Sequence, residues 1–264
     1  MAFYEDRAHL YDIAFSWDVS DEVDWLLARL GPRVRVVLEP ACGSGRMFPA
    51  FAGRGVEVVG VELSETMVTR AHERMAALGK PAPRILHGDM ADFELDETFD
   101  GAVCPINSFG YLLSRKRAGS HLACVARHLR PGGKYLVQME LIDFNNPPAL
   151  MQGENRWEME QEGVKVAAEW FGRSIDPQSR LEIQVCQFEI LSGPGAGTVT
   201  EDEHILRRWD WAEWTALIDE SPFALRGSYD GNSNERAPLP LGQSLENRRL
   251  VWHELTLPKT DADT

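Results

Sequence analysis

The amino-acid sequence predicts an α/β fold: a doubly wound, mostly parallel sheet of seven strands, interrupted after the fifth strand by an antiparallel β insertion. In residues 34–141, short apolar runs alternate strictly with segments of helical periodicity, as in parallel sheets with crossover helices. Residues 143–208 instead alternate apolar and polar positions, which is typical of antiparallel strands with one covered face. The helix-and-strand pattern resumes near residue 211 and ends with two further strands.

The chain opens with aromatic residues and a helical segment. Residues 21–30 carry apolar side chains at helical spacing, and Gly31-Pro32 ends the segment. We expect residues 1–30 to form N-terminal helices that either pack on the core or close over a ligand as a lid. Both alternatives stay open for Tyr4 and Tyr11, whereas core packing is favoured for the other aromatic residues of the segment.

The first strand and the turn after it indicate a ligand site, although taken alone they also fit an ordinary strand-to-helix loop. An apolar run at residues 34–38 predicts a buried strand, and five small residues, 41–45, separate it from a short helix that ends near residue 53. Gly43 and Gly45 permit unusual backbone angles and let a ligand approach the main chain. The N–H groups at the start of the helix suit a carboxylate or a phosphate.

The second strand strengthens this signal. It covers residues 56–61 and ends at Glu62, where a carboxylate can accept hydrogen bonds from both hydroxyls of a ribose. The dinucleotide-binding pattern is incomplete, because Ala41 replaces its first glycine and Phe48 stands where its third is expected. A ligand with adenosine at one end and a carboxylate at the other therefore fits better than a pyrophosphate.

Polar residues also follow the later strands. These strands are predicted at residues 84–87, 99–105, 134–141, 223–229 and 248–257. Asp89 follows the third strand, where its carboxylate either accepts from an adenine amino group or caps the next turn. A helix with Ser64 as its N-cap precedes that strand, and Asp210 is the predicted N-cap of the helix near residue 211.

Composition narrows the classes of partner. The chain has 264 residues, of which 44% are hydrophobic, and a formal net charge of −14 that disfavours a nucleic acid. Its four cysteines form no C-x-x-C pair and its seven histidines are scattered, so no metal site is expected. With no signal-peptide pattern and no long apolar span, we expect a cytoplasmic protein that does not bind a membrane. The sequence does not decide the oligomeric state, and a homodimer stays open.

Five segments resemble, in order, the motifs of class I S-adenosylmethionine-dependent methyltransferases. They read VVLEPACGSGR, GVELSETM, HGDMADF, VCPINSFGYLLS and LRPGGKYLV. The similarity is greatest to small-molecule N-methyltransferases typified by the amino-sugar N,N-dimethyltransferases, and it covers about residues 1–140. It implies a Rossmann-like methyltransferase fold, S-adenosylmethionine as cofactor and a small-molecule methyl acceptor. The acceptor itself, and whether nitrogen, oxygen or carbon is methylated, cannot be read from these motifs.

The resemblance also implies a set of cofactor-binding residues. They are Tyr11, Glu39, Ala41, Gly43, Gly45, Glu62, Leu63, Met67, Asp89, Met90, Pro105, Ile106 and Asn107. Within this set the resemblance assigns the amino-acid end of the cofactor to the neighbourhood of Glu39, the ribose to Glu62 and the adenine edge to Asp89. Glu39 stands where aspartate is usual and Ala41 where glycine is usual, and both changes keep charge or size.

The order of the predicted segments divides the chain into a part that binds the cofactor and a part that covers the substrate. Residues 1–142 and 209–258 would form the cofactor-binding core, and residues 143–208 an antiparallel substrate cap. Methyl transfer by in-line displacement depends mainly on alignment of nucleophile, methyl and sulfur. An amine or phenol acceptor must lose a proton. Tyr4, Glu140 and His204 are candidates for the base, and none is favoured over a structural role.

Three other functions agree with parts of the sequence. A DNA or protein amino-methyltransferase is suggested by Asn146-Pro147-Pro148, but this sequence follows the fifth strand instead of the fourth, and Ala149 replaces the stacking aromatic residue. A NAD-dependent oxidoreductase is disfavoured by the missing third glycine. A cofactor-binding module without catalysis is the third alternative, and binding without methyl transfer would favour it.

Overall fold

Residues 2–148 and 155–259 are described by a computed structural model of the chain. Ala149, which distinguishes the Asn-Pro-Pro sequence from a base-flipping signature, lies outside these described residues.

Seven α-helices lie within the described residues. They are α1 (Ala2–Glu5), α2 (Ala8–Ala14), α3 (Ser20–Leu30), α4 (Phe48–Gly53), α5 (Glu65–Ala77), α6 (Arg115–Arg127) and α7 (Trp211–Asp219). Side-chain caps start α5 and α7: Ser64 accepts from the Met67 N–H and Asp210 from the Glu213 N–H, as predicted. These caps fix where α5 and α7 begin relative to the strands before them.

The main sheet carries the core. In the part of the chain that the structure describes it has eight strands: β1 (Val36–Pro40), β2 (Glu57–Glu62), β3 (Arg84–His87), β4 (Phe99–Cys104), β5 (Leu129–Met139), β10 (Ala224–Asp230), β11 (Pro238–Leu239) and β12 (Val251–Thr256). Their spatial order is β11-β10-β12-β5-β4-β1-β2-β3. Strands β1 to β5 are parallel, and β12 pairs antiparallel with both β5 and β10. The predicted doubly wound, mostly parallel sheet is therefore confirmed.

A second, antiparallel sheet forms within the predicted insertion. Its four strands in the described chain are β6 (Arg156–Gln161), β7 (Val164–Asp176), β8 (Leu181–Ser192) and β9 (Val199–Arg207), in that spatial order. One face is covered by helix α2, because Leu10, Ala14 and Phe15 share a buried cluster with Val166 and Phe188. The insertion thus docks on the N-terminal helices.

Helix α2 is tied to the main sheet as well. Asp12 accepts hydrogen bonds from Arg70 and Arg74 of α5, and Arg74 also donates to the carbonyl of Ser44 at 3.0 Å. The Ser64 hydroxyl donates to the Tyr4 carbonyl at 3.1 Å. The N-terminal helices therefore bridge the two sheets at the edge where β1 and β2 end.

Two elements differ in detail from the sequence prediction. The helix after the small-residue turn begins at Phe48 instead of Gly45, since residues 41–47 form a longer turn. Between the strands predicted at residues 223–229 and 248–257, the chain forms the additional two-residue strand β11, which pairs with β10 through Ser228 and Tyr229. A two-residue edge strand has too little alternation to be recognised in a sequence.

Candidate functional site

A cavity of about 820 Å³ lies where the two sheets and the N-terminal helices meet. Its floor is formed by the carboxyl ends of β1, β4 and β5. Strand order reverses between β1 and β4, since β2 and β3 lie on one side of β1 and β4 and β5 on the other. Open α/β sheets bind ligands outside the carboxyl ends of their strands at such a reversal.

The small-residue turn brings its backbone to this cavity. Ala41, Gly43 and Gly45 all have positive φ, at 57°, 56° and 67°. A Cβ at Gly45 would lie 3.0 Å from Phe48, whereas a Cβ at Gly43 would meet no atom within 4 Å. Gly45 is therefore required for packing of the turn, and Gly43 leaves open space beside the main chain.

Two buried ionisable side chains, one acidic and one basic, line the cavity beside this turn. Glu39 is 2% exposed, and its Oε2 accepts no hydrogen bond from any described residue. Burial raises the pKa of Glu39 to about 8, with Arg46 acting in the opposite direction. Both terminal nitrogens of Arg46 are likewise buried without a hydrogen-bond partner in the described chain, although Glu22 lies 3.8 Å away. Unsatisfied buried charges are costly, so this pair points to a ligand that carries both charges.

Glu62 lies next to the turn. Its Oε2 accepts the N–H of Gly43 at 2.8 Å and its Oε1 that of Ser64 at 2.9 Å. Burial raises the pKa of Glu62, although these two N–H groups act in the opposite direction. The Gly88 N–H donates to the Glu62 carbonyl at 2.8 Å, so Glu62 and Asp89 lie at neighbouring strand ends. This proximity is what a shared adenosine site requires.

The region around Asp89 has partners of its own. Its Oδ1 accepts the Ala91 N–H at 2.9 Å and its Oδ2 a hydrogen bond from Arg117 at 2.5 Å. Burial alone would raise the pKa of Asp89, but these two bonds outweigh it and hold the pKa below its usual value. Leu63 is 58% exposed nearby, which leaves an apolar side chain open to a ligand.

The segment after β4 forms a strained wall of the cavity. Ile106 and Asn107 both have positive φ, at 49° and 56°. Such a conformation persists in non-glycine residues only when the surroundings enforce it. Here Gln138 accepts from the Ile106 N–H at 2.8 Å through its side chain and from the Asn107 N–H at 3.1 Å through its carbonyl.

Two of the three candidate bases are joined by a residue that the sequence did not single out. The hydroxyl oxygen of Tyr111 lies 2.9 Å from the hydroxyl oxygen of Tyr4 and 2.8 Å from Nδ1 of His204. Burial raises the pKa of Tyr4 and of Tyr111 and lowers that of His204 to about 4. All three groups are thus neutral at pH 7 and form a chain of hydrogen bonds.

The third candidate, Glu140, belongs to another cluster. Arg208 donates to Glu140 at 2.7 Å and lies 3.3 Å from Glu182. Burial raises the pKa of Glu182, whereas the charge of Arg208 acts against this rise. The cluster lines the cavity together with Trp170, whose indole N–H donates to Gln184 at 2.6 Å.

The structure separates the predicted site residues into two groups. Those that line the cavity are Tyr4, Tyr11, Glu39, Ala41, Gly43, Pro105, Ile106, Asn107 and Glu140. Those that lie outside its lining are Gly45, Glu62, Leu63, Met67, Asp89, Met90 and His204. Glu62, Leu63 and Asp89 continue from the turn along the ends of β2 and β3. Sequence reasoning missed Arg46, Tyr111 and Gln138; only Arg46 had a local signal, since it directly follows the glycine turn.

The described residues contain neither a metal-binding cluster nor a membrane-spanning helix. They contain no group of three or more His, Cys, Asp or Glu side chains placed to hold a metal ion. No helix among them has the length and apolar character needed to span a membrane.

The sequence of the chain is similar to those of known methyltransferases. Residues 37–133 match the methyltransferase domain family. The chain is 33% identical over 140 residues to dTDP-3-amino-3,4,6-trideoxy-alpha-D-glucopyranose N,N-dimethyltransferase of Streptomyces venezuelae, which covers 50% of this chain and 56% of that protein. It is 31% identical over 231 residues to dTDP-4-amino-2,3,4,6-tetradeoxy-D-glucose N,N-dimethyltransferase of Saccharopolyspora spinosa, covering 85% of this chain and 87% of that protein.

Solved structures show the same fold. A S-adenosylmethionine-dependent methyltransferase from Clostridium acetobutylicum superposes with a TM-score of 0.72 at 19% identity, over 97% of this chain and 99% of that one. DesVI of Streptomyces venezuelae gives a TM-score of 0.71 at 23% identity, over 97% of this chain and 98% of that one. At these identities the likeness concerns architecture, and it includes the antiparallel insertion because nearly the whole chain is covered.

Proposed function

Because the chain belongs to the class I S-adenosylmethionine-dependent methyltransferases, we propose that it transfers a methyl group to the amine nitrogen of a small molecule of the amino-sugar class. The named relatives are N,N-dimethyltransferases of amino sugars, which supports nitrogen as the methylated atom. A cavity closed by a second sheet supports a small acceptor over a macromolecule.

The observation that carries the proposal is the buried pair of charges at Glu39 and Arg46. The donor has an ammonium and a carboxylate on one carbon atom, and its other end is adenosine. Glu39 would receive the ammonium and Arg46 the carboxylate, which would give both side chains the hydrogen bonds that they lack. Glu62 would accept the ribose hydroxyls, and Leu63 and Asp89 would meet the adenine.

The other residues proposed to contact the cofactor line the same cavity. Gly43 would let the amino-acid end approach the backbone, while Tyr11 would close the site from the N-terminal side. The wall of Pro105, Ile106 and Asn107 would face the sulfonium. When bound, the cofactor supplies an electrophilic methyl group on a positively charged sulfur.

The residues of the chain act mainly by alignment. Burial keeps the Tyr4 hydroxyl protonated, and it lowers the pKa of His204 to about 4, so neither removes an amine proton efficiently at pH 7. The acceptor therefore enters as the free amine. Tyr4, held by Tyr111, would fix its nitrogen, while Trp157 and Trp170 shelter it from water.

Calorimetric titration tests the proposed function. S-adenosylhomocysteine should bind and NAD should not, because the cavity offers charges for an amino acid and an incomplete pattern for a pyrophosphate. Incubation with S-adenosylmethionine and a panel of amino sugars should then give mono- and dimethylated amines by mass spectrometry. Tight binding of NAD, or methylation of phenols or acids only, would contradict the proposal.

Replacement of Gly43 by alanine tests the open space beside the turn, and the same change at Gly55 is its control. Gly43→Ala should lower the free energy of unfolding by about 1 kcal/mol, because alanine is strained at positive φ. It should also weaken S-adenosylhomocysteine binding by about tenfold or more, since the added methyl group occupies the space through which a ligand reaches the backbone.

Gly55 provides the matched control. Its φ is 72°, and a Cβ there also meets no atom within 4 Å, but it lies outside the cavity lining. Gly55→Ala should cost similar stability in thermal unfolding and leave the affinity unchanged. Equal effects of the two substitutions on affinity would show that Gly43 has no special relation to the ligand.

A further inference from the structure

A buried polar cluster lines the cavity on the side of the second sheet. It consists of Arg208 and the carboxylates of Glu140 and Glu182, and we call it the Arg208 cluster. Arg208 is 4% exposed and Glu182 is 5% exposed. Glu140 follows β5, Glu182 lies in β8 and Arg208 follows β9, so both sheets contribute to the cluster. Burying charged side chains costs free energy, and the cofactor contacts proposed above give this cluster no role.

The cluster has hydrogen-bonding groups that the described residues do not fill. Arg208 donates through Nη2 to Oε2 of Glu140 at 2.7 Å, and its Nε lies 3.3 Å from Oε2 of Glu182. Nη1 of Arg208 is buried and has no hydrogen-bond partner in the described chain. Oε2 of Glu182 also accepts from the Gln184 amide at 2.9 Å, whereas Oε1 of either carboxylate accepts from no described residue. One donor and two acceptors therefore stay available to a ligand.

These unfilled groups indicate the chemical class of the ligand. A buried polar group without a partner costs free energy, and a ligand that pairs with it removes that cost. A hydroxyl group donates one hydrogen bond and accepts others, so it can pair with a carboxylate and with Arg208 at once. An ammonium group accepts none and would leave Nη1 of Arg208 unpaired. A phosphate or carboxylate would accept from Arg208 but would lie against two carboxylates of like charge.

The cluster lies close to the residues that would hold the reacting nitrogen. Tyr4, which would fix this nitrogen, contacts His204 with 5.8 Å between the ring centroids. His204 pairs with Gln184 across β9 and β8. Glu182 lies two residues from Gln184 on the same face of β8, which is about 7 Å along the strand. One ring-sized molecule can therefore place its nitrogen at Tyr4 and a hydroxyl group at the Arg208 cluster.

Glu140 connects the cluster to the proposed transfer site. Its N–H donates to the side chain of Asn107 at 3.3 Å, and Asn107 belongs to the wall that would face the sulfonium. The Ile142 N–H donates to the Trp209 carbonyl at 2.8 Å, so the segments that carry Glu140 and Arg208 run side by side. This pairing fixes both side chains relative to the wall, as a site that selects its ligand requires.

We propose that Arg208, Glu140 and Glu182 form a hydroxyl-binding subsite that selects amines with a hydroxyl group on the same ring. The hydroxyl donates to Oε1 of Glu140 and accepts from Nη1 of Arg208, while Glu182 holds Arg208 through Nε and offers a second acceptor. An amine without this hydroxyl leaves those groups unpaired, and a site built to bond a hydroxyl rejects such analogues. The three residues determine specificity and take no part in methyl transfer itself. This inference rests on the proposed function, because it concerns the acceptor of the same reaction.

The test compares amines that differ by one hydroxyl group. The probes are the positional isomers of aminocyclohexanol with cyclohexylamine, and the amino sugars of the panel with their deoxy counterparts. For each pair the ratio of the two kcat/KM values is measured in the wild type and in the variants, so that differences in intrinsic reactivity cancel. In Glu140→Gln the amide oxygen must replace the Oε2 that accepts from Arg208, so the free acceptor becomes an N–H donor. The ratio for the preferred hydroxylated amine should fall about tenfold.

Glu213→Gln is the matched control. Glu213 accepts from Arg207, the neighbour of Arg208, and both residues of this pair lie outside the cavity lining. The substitution should lower thermal stability and leave the ratio unchanged. Glu182→Gln should lower the ratio as Glu140→Gln does. Should Glu182→Gln fail to fold because Glu182 is buried, Glu140→Gln decides the result, since Glu140 is partly exposed.

The outcomes separate the hydroxyl subsite from the proposed function. If the wild type methylates none of these amines, the proposed function is overturned. If it methylates them and the ratio is the same in the wild type and in Glu140→Gln, the hydroxyl subsite alone is overturned. An equal fall of the ratio in Glu140→Gln and Glu213→Gln would also overturn the subsite, because the effect would then come from altered structure. A fall confined to the variants of the Arg208 cluster supports it.

Discussion

Replacing Glu39 by glutamine is expected to lower the affinity for S-adenosylhomocysteine by about a hundredfold, because removing one member of a buried charge pair typically costs 2–5 kcal/mol. The same substitution should not destabilise the protein without ligand at neutral pH. Glu39 is buried with an oxygen that has no hydrogen-bond partner in the described residues, and burial raises its pKa to about 8. Without a ligand it is therefore mostly protonated at neutral pH, and glutamine reproduces that neutral form. Loss of binding without loss of stability is typical of a residue kept for its ligand.

Glu39 should also make the free energy of unfolding of the ligand-free protein depend on pH. Burial raises the pKa of Glu39 from 4.5 to about 8. The folded state therefore holds a proton that the unfolded state releases, and the stability supplied by the protonated form is complete below about pH 4.5. It is lost as the pH rises through about 8. Chemical denaturation of the ligand-free protein should show this loss in the wild type and a smaller one in Glu39→Gln.

Glu254 is the control for Glu39. It is also buried, at 5% exposure, but it is paired with Lys134 at 2.8 Å and lies outside the cavity lining. Glu254→Gln should reduce stability and leave binding of S-adenosylhomocysteine intact. If Glu39→Gln behaved like Glu254→Gln, Glu39 would be a structural residue and the assignment of the ammonium site would be wrong.

Replacing Tyr111 by phenylalanine is expected to reduce kcat about a hundredfold, because a misplaced reacting group can lose this much rate. The hydroxyl of Tyr111 joins Tyr4 to His204, and its removal breaks both hydrogen bonds while keeping the ring. We therefore predict that Tyr111 is a positioning residue that acts through Tyr4. Affinity for S-adenosylhomocysteine should therefore stay within about twofold of the wild type, and the loss should appear in kcat more than in KM.

Tyr135 offers a matched tyrosine–histidine pair. Its hydroxyl lies 2.8 Å from Nε2 of His121, also buried, but neither residue lines the cavity. Tyr135→Phe should lower thermal stability and leave kcat unchanged.

In both variants, Tyr111→Phe and Tyr135→Phe, kcat/KM should rise with pH through the pKa of the acceptor amine, because His204, with its pKa lowered to about 4, stays neutral there. A new inflection near neutral pH, lost in His204→Gln, would instead identify His204 as a base.

The sequence predicted the parts of the fold and site that depend on local order. The alternation of strands and helices, the glycine turn and Glu62 after the second strand all come from short, continuous segments. Because parallel strands end at one edge, Glu62 and Asp89 could be expected to lie together, as the bond from Gly88 to Glu62 shows. The assignment of individual residues to the cofactor stays a prediction.

Contacts between distant segments could not be predicted. Tyr111 and His204 are 93 positions apart and meet only because β9 of the second sheet passes the segment after β4. Arg46 resembles any basic residue at the start of a helix until its burial is known. Arg117 was not expected to hold Asp89, since their bond joins α6 to the end of β3.

The central claim is that the amino-acid end of the cofactor binds between Glu39 and Arg46. Its most direct test compares S-adenosylhomocysteine with 5′-methylthioadenosine, a thioether of the same nucleoside that lacks the amino-acid end. Titration of the wild type should show S-adenosylhomocysteine binding about a hundredfold more tightly, with this preference largely lost in Glu39→Gln. Equal affinity of the wild type for both ligands would contradict the claim.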